Sequence, residues 1–340
     1  MKRYLRRFFI WKGIVLSLVI FALLVFFALK FLLPVVSFAK QNSLTPDFIA
    51  NFILGSETPL KKNEDRTHIL ILGMAGANHA GADLTDTMIF LSLNHQNKKT
   101  VVFSLPRDIW SDTLKDKINS AYHYGEIGKI NGGLELSDAI VEEILNQPVH
   151  YVFLIDFSFV KEIINIISGI EVYVDNSFDD YKYPLDGLEN DLCDGDIELK
   201  CRYEAIHFNK GWQKMDGETA LKFIRSRNAE GDEGSDFARS KRQQKILEAL
   251  KNRLMSKETL TKPKQLILIW EAFKKNSKTN ANLADILYLG KEIISEKERA
   301  TIPVEEQFVN APIQMYEGKW VLVPRENWDD FHRFIEGSLK

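Results

Sequence analysis

HILILGMAGANHAGADLTDTMIFLSLNHQNKKTVVFSL, residues 68–105, contains three short apolar runs whose reading decides the fold class. HILILG (68–73), TMIFLSL (87–93) and TVVFSL (100–105) are rich in β-branched and aromatic residues and too short for core helices. Runs of this kind read as strands buried on both faces. Downstream, residues 131–145 place Leu134, Leu136, Ile140, Ile144 and Leu145 in a helical pattern that stops before Pro148. HYVFLID (150–156) reads as another buried strand, 157–167 as a helix ending at Gly169, and IEVYV (170–174) as a returning strand. Strands interleaved with helices predict an α/β fold, a three-layer α/β/α sandwich with a central mixed β-sheet.

The ends of these strands carry the chemistry, as the open sheets of α/β proteins lead one to expect. The glycine-rich loop GMAGANHAGADLTDTM (73–88) closes on Asp83 and Asp86 at the mouth of the second strand. Two carboxylates there suit magnesium, which takes hard oxygen ligands and completes its shell with water and phosphate. A turn-capping role for Asp86 is the simpler alternative. No GKS or GKT ends the loop, so it is not a Walker A motif. After the third strand, SLPRDIW (104–110) presents Arg107 and Asp108 behind Pro106, as a surface ion pair or as a site.

A second charged stretch, ALKFIRSRNAEGDEGSDFARSKRQQKILEAL (220–250), brings Arg225, Arg227, Arg239 and Arg242 close together, with Asp236 and Gln243 among them. Asp216 is placed to cap a short helix before it, and Ser235 or Asp236 a second helix within it. Arg239, Arg242 and Gln243 then share one face. Forked guanidinium groups beside a helix N-terminus make a cradle for phosphate, against the alternative of a solvated basic face.

Working outward to the termini, residues 1–12 hold five Lys or Arg and no acid, and Gly13 to Leu29 hold no charge. Residues 13–39 therefore read as one N-terminal transmembrane helix, with the basic leader cytoplasmic and about 300 residues beyond the outer face. The expected organisation is leader 1–12, anchor 13–39, linker 40–66, main domain 67–255 and a helical or mixed appendage 256–340. The formal charge of −3, set beside a basic leader, leaves the exported part acidic, which argues against a nucleic-acid partner. The two cysteines, Cys193 and Cys201, lie in a polar loop and suit a local disulfide in an oxidising exterior.

The ordered set LG, LTDT, SLPRD, KINSAYHYG (117–125), GGLELSDAIVEEIL, YVFLIDF, the helix running into RSR, and SDFARSKRQQ resembles the LytR-CpsA-Psr family of membrane-anchored cell-wall glycopolymer ligases. The match runs from about Thr67 to Leu254. The resemblance implies a phosphotransferase that moves a glycan phosphate from a polyprenyl-pyrophosphate carrier to a hydroxyl of peptidoglycan, with Mg2+ at the pyrophosphate. It also implies an apolar groove for the lipid. By motif, Asp86 corresponds to the family's metal-binding acid, and Arg107, Arg225, Arg227 and Arg239 with Gln243 to its pyrophosphate-binding set. Arg242 joins that set from the residue reading, while Asp108 and Asp236 match family acids suited to orient or deprotonate the acceptor hydroxyl.

The chain departs from the family in one place. Many members carry an Asp directly after the first strand's glycine, where this chain reads GMAG, and an Arg before the DT pair, where it has Leu84 and Thr85. Asp83 then stands in for the missing acid at the metal. The alternatives are a lipid-pyrophosphate binding protein or a pyrophosphatase without transfer, both of which the same cradle would serve. A membrane-anchored transcriptional regulator is a third, and the topology of the basic leader opposes it.

Overall fold

The computed structural model of the chain describes residues 20–21, 26, 29–30, 33–42, 44–55, 59–74, 83–129, 132–185, 187–188 and 190–340. A helix α1 (Pro46–Leu54) precedes the three expected strands, β1 (Arg66–Met74), β2 (Thr85–Asn94) and β3 (Lys99–Leu105). A small β4–β5 pair (Trp110–Ser111, Asp116–Lys117), helices α2 (Ala121–Gly128) and α3 (Gly133–Leu145), strand β6 (Tyr151–Asp156) and helix α4 (Phe157–Ile166) follow. β1 runs antiparallel to β2 and parallel to β6, and β2 runs antiparallel to β3, so the central sheet is mixed.

The period of two along each strand builds both interfaces. Leu70, Leu72, Met88, Phe90, Val152 and Leu154 face one core with Ile140 and Ile144 of α3. Their neighbours Ile69, Ile71, Leu91, Leu93, Tyr151 and Phe153 face the other, where Phe48 and Phe52 of α1 pack. Helices on both faces give the expected three layers, and each fully buried large side chain contributes about 1.5–3 kcal/mol.

Residues 170–254 form a second packed unit. Strands β7 (Ile170–Val174), β8 (Phe178–Pro184), β9 (Tyr203–Phe208) and β10 (Gly211–Met215) pair as β7–β10 and β8–β9, outside the central sheet. Helices α5 (Gly217–Arg225) and α6 (Asp236–Leu254) close this unit over Val172, Phe178, Phe208, Phe223 and Ile246. Cys193 and Cys201, in the loop between β8 and β9, are joined as a disulfide.

The expected 256–340 appendage is corrected. After α7 (Lys257–Leu260) and α8 (Pro263–Asn276), strand β11 (Ser277–Thr279) joins the sheet beside β6. After α9 (Leu283–Ile294), β12 (Glu298–Pro303) joins beside β3. Backbone groups on the flanks of β3 and β6 need partners, and these strands supply them. The last elements, β13 (Phe308–Asn310), β14 (Leu322–Pro324) and α10 (Trp328–Leu339), pack Phe331 and Ile335 into the first core. Among the described residues no helix is long and apolar enough to cross a membrane, and much of the expected 13–39 anchor lies outside them.

Candidate active site

Because β1, β3 and β6 run the same way and β2 runs against them, the ends of β1, β3 and β6 and the start of β2 meet at one edge. Asp86, the second residue of β2, and Arg107, two residues past β3, meet there with Arg107 Nη1 donating to Asp86 Oδ1 at 2.6 Å. Arg107 Nε lies 3.6 Å from Asp108 Oδ2, and Lys117 Nζ lies 2.5 Å from Asp108 Oδ1. Four charges of alternating sign thus line the edge. Burial opposes the Arg107 charge, but Asp86 and then Asp108 outweigh it and raise its pKa. The loop is fastened by backbone bonds from Asn119 to Arg107, from Ile118 to Ile109 and from Leu322 to Asp108. The last of these comes from the C-terminal region, which therefore helps shape the site.

Asp83 pairs with His123 Nδ1 at 2.5 Å on α2. Residues 75–82 of the glycine-rich loop lie outside the described residues. Asp83 and Asp86 are both partly exposed hard-oxygen donors, with His123 engaging Oδ2 of the first and Arg107 engaging Oδ1 of the second. Among the described residues, three metal-ligating groups converge only at Asp191, Cys193 and Cys201, where both sulfurs are in the disulfide. Asp83 and Asp86 therefore form no closed cage. One or two carboxylates with water and phosphate is the habit of magnesium, so the donor set fits that ion.

The arginine stretch folds largely as its sequence directs. The Asp216 side chain accepts from Thr219 N and caps α5, and Ser235 accepts from Ala238 N and caps α6. Ser226, between Arg225 and Arg227, is buried and donates to Asp180 Oδ2 at 2.7 Å. Asp180, fully buried, also accepts from the backbone N–H groups of Lys182 and Asn228, so it fixes the turn that carries both arginines. Arg225 is half-buried over the Tyr183 ring at 5.8 Å, Arg227 is exposed, and Arg239 and Gln243 are half-buried one turn apart on α6. Asp236 opens α6.

Arg242 is a correction. Its guanidinium is buried and donates to the carbonyls of Phe223, Ser226 and Glu233 and to the Glu233 carboxylate. It also lies over the rings of Phe178 and Phe223, at 4.9 and 5.9 Å. Burial lowers its pKa against the opposing pull of Glu233. With its fork engaged in this way, Arg242 ties α5 to α6 and has little left to offer a phosphate. Asp180, Lys117 and His123 are the site's unassigned members. Lys117 and His123 stand in KINSAYHYG, whereas nothing around Asp180 in the sequence marks it out.

Comparison with known proteins extends this picture. The model of the LytR_cpsA_psr family matches residues 39–327. A Bacillus cereus protein named polyisoprenyl-teichoic acid–peptidoglycan teichoic acid transferase TagU is 29% identical over 229 residues, covering 66% of this chain and 63% of that protein. The chain thus spans just under two thirds of that relative's length. A crystal structure described as a transcriptional regulator from Enterococcus faecalis aligns with a TM-score of 0.55 at 24% identity, covering 81% of this chain and 88% of that one. Bacillus subtilis TagV aligns with a TM-score of 0.53 at 25% identity, covering 82% and 98%. The Enterococcus likeness is one of fold alone.

Proposed function

The chain belongs to the LytR_cpsA_psr family, and from that premise we propose that it transfers a glycan phosphate from a polyprenyl-pyrophosphate carrier to a hydroxyl of peptidoglycan. The observation that carries this reading is the Asp86–Arg107–Asp108–Lys117 cluster at the edge of the central sheet. The acceptor oxygen bonds to the glycan-linked phosphorus as the bond to the bridging oxygen breaks, and polyprenyl phosphate leaves. Arg107, Arg225, Arg227 and Arg239 with Gln243 bind the pyrophosphate and offset the charge that gathers on the leaving group. Magnesium held by Asp86, with Asp83, supplies further charge neutralisation at the phosphates when bound.

The acceptor proton passes to Asp108 or Asp236. Asp108 is already bridged by Arg107 and Lys117, which supports an orienting part for it. An N-terminal membrane anchor with the rest of the chain outside the cytoplasm belongs to the same proposal. The Cys193–Cys201 disulfide supports it, because such bonds persist in oxidising compartments.

The test is incubation of the full chain in detergent with a polyprenyl-pyrophosphate-linked sugar and magnesium, with and without peptidoglycan fragments. Polyprenyl phosphate released only when acceptor is present supports the ligase. Release without acceptor replaces it with a pyrophosphatase, and binding without release replaces it with a carrier.

A further inference from the structure

Away from the charged edge, a cleft of about 680 Å³ runs between the β7–β10 ladder and the C-terminal half of α6. Its floor includes buried Val172, and its wall carries Trp212, which is 74% exposed. Trp212 sits directly across the ladder from Tyr173, and the two rings meet edge to face at 5.5 Å. An indole left this open in a concave site, touched by one ring, still offers a broad apolar face to a ligand.

The polar lining is balanced. Three acids, Glu171, Glu248 and Glu258, stand against three bases, Lys214, Lys245 and Arg253. Lys245 is committed to the Tyr173 carbonyl and Asp175, and Arg253 to the Ile167 carbonyl and Glu258. By contrast, the side chains of Glu171, Lys214, Glu248 and Asn252 make no hydrogen bond or ion pair among the described residues. The cleft therefore offers an aromatic face ringed by uncommitted donors and acceptors of both signs. A polyanion would call for an excess of cations, and an apolar helix for a continuous apolar groove. A sugar has the complementary chemistry, with a C–H face to lie on indole and hydroxyls that both donate and accept.

We infer that this cleft is an oligosaccharide-binding site for the acceptor glycan, and the inference rests on the transferase reading above. Its position suits a polymer. A second cleft of about 400 Å³ shares Lys245 with the first and continues along α6 to Ser235 and Arg242. From Asn252 back to Arg239 is about 20 Å at the rise of an α-helix. A strand lying in both clefts would lead towards the end of α6 that carries Arg239 and Gln243.

The experiment titrates a soluble, lipid-free peptidoglycan glycan fragment into the full chain in detergent by calorimetry, for wild type, Trp212→Ala and Trp212→Phe. Trp212→Ala is expected to weaken binding about tenfold, and Trp212→Phe to restore most of it. In the transfer assay Trp212→Ala raises the acceptor KM and leaves kcat and the lipid-substrate KM unchanged. Asn252→Ala, made on an exposed helix position, gives a smaller loss of the same kind. Wild-type affinity in Trp212→Ala, no saccharide binding by wild type, or displacement of the saccharide by anionic vesicles would each overturn the inference. Saccharide binding that depends on Trp212 in a chain that transfers to no acceptor would support this site and break the transferase reading alone.

Discussion

Arg107 and Arg242 are both forked cations beside acids, yet their side chains are 42% and 4% exposed. Arg107 is held by the carboxylates of Asp86 and Asp108, on a face open to solvent. Arg242 is held by three backbone carbonyls, one carboxylate and two aromatic faces. A carboxylate side chain can give way to a phosphate oxygen, whereas a backbone carbonyl moves only with its element. Charge and neighbouring acids alone do not separate an arginine whose fork can be released to a ligand from one tied into the fold; the identity of the acceptors does.

The largest expected effect tests Arg242. Replacing it with Ala leaves three carbonyls and Glu233 without their donor, and is expected to lower the unfolding free energy in urea by about 3–5 kcal/mol. A loss below about 1 kcal/mol would break the comparison. Arg107→Ala is expected to slow transfer about 10²–10³-fold, the scale for losing a donor to developing charge, while unfolding changes by less than about 1 kcal/mol. Similar losses of stability in the two variants would erase the distinction.

His68, buried on β1, sharpens the contrast, because it can shed the charge that Arg242 must keep. Burial pushes its pKa down to about 4, with the Pro148 carbonyl opposing and His150 and Arg66 adding to the fall. Between pH 6.5 and 4 the unfolded chain takes up a proton at this residue that the folded chain refuses. Stability therefore falls as pH drops through that window, by roughly 3 kcal/mol at its lower end. The window should be missing from His68→Gln in pH-dependent urea titrations. An unchanged slope would show that His68 is protonated without cost in the fold.

Burial on both faces made β1, β2, β3 and β6 legible, since it writes a continuous apolar run into the sequence. The edge strands β11 and β12, SKT and ERATIP, carry no such run, because pairing there is mostly a matter of backbone groups. β7 had its own signal. In IEVYV the buried Ile170, Val172 and Val174 alternate with exposed Glu171 and Tyr173, the pattern of a strand covered on one face and not of a central one. Within the site, Asp86 and Arg107 stood at strand ends and could be picked out. Asp180 could not, because its role depends on Ser226 and Asn228, which lie nearly 50 residues away and come close only in the fold.

The two outermost strands of the central sheet come from residues 277–279 and 298–303, late in the chain. A chain cut after residue 255 would keep the four inner strands and lose both flanking ones. β3 and β6 would then present raw hydrogen-bonding edges, a template for strand-to-strand aggregation. Size-exclusion chromatography of such a truncation should show large assemblies, and a clean monomer would mean that some other segment guards those edges. By the same logic, the order of synthesis leaves β6 unflanked until residues 277–279 have emerged and β3 unflanked until residues 298–303 have, so the sheet is sealed long after its inner strands exist.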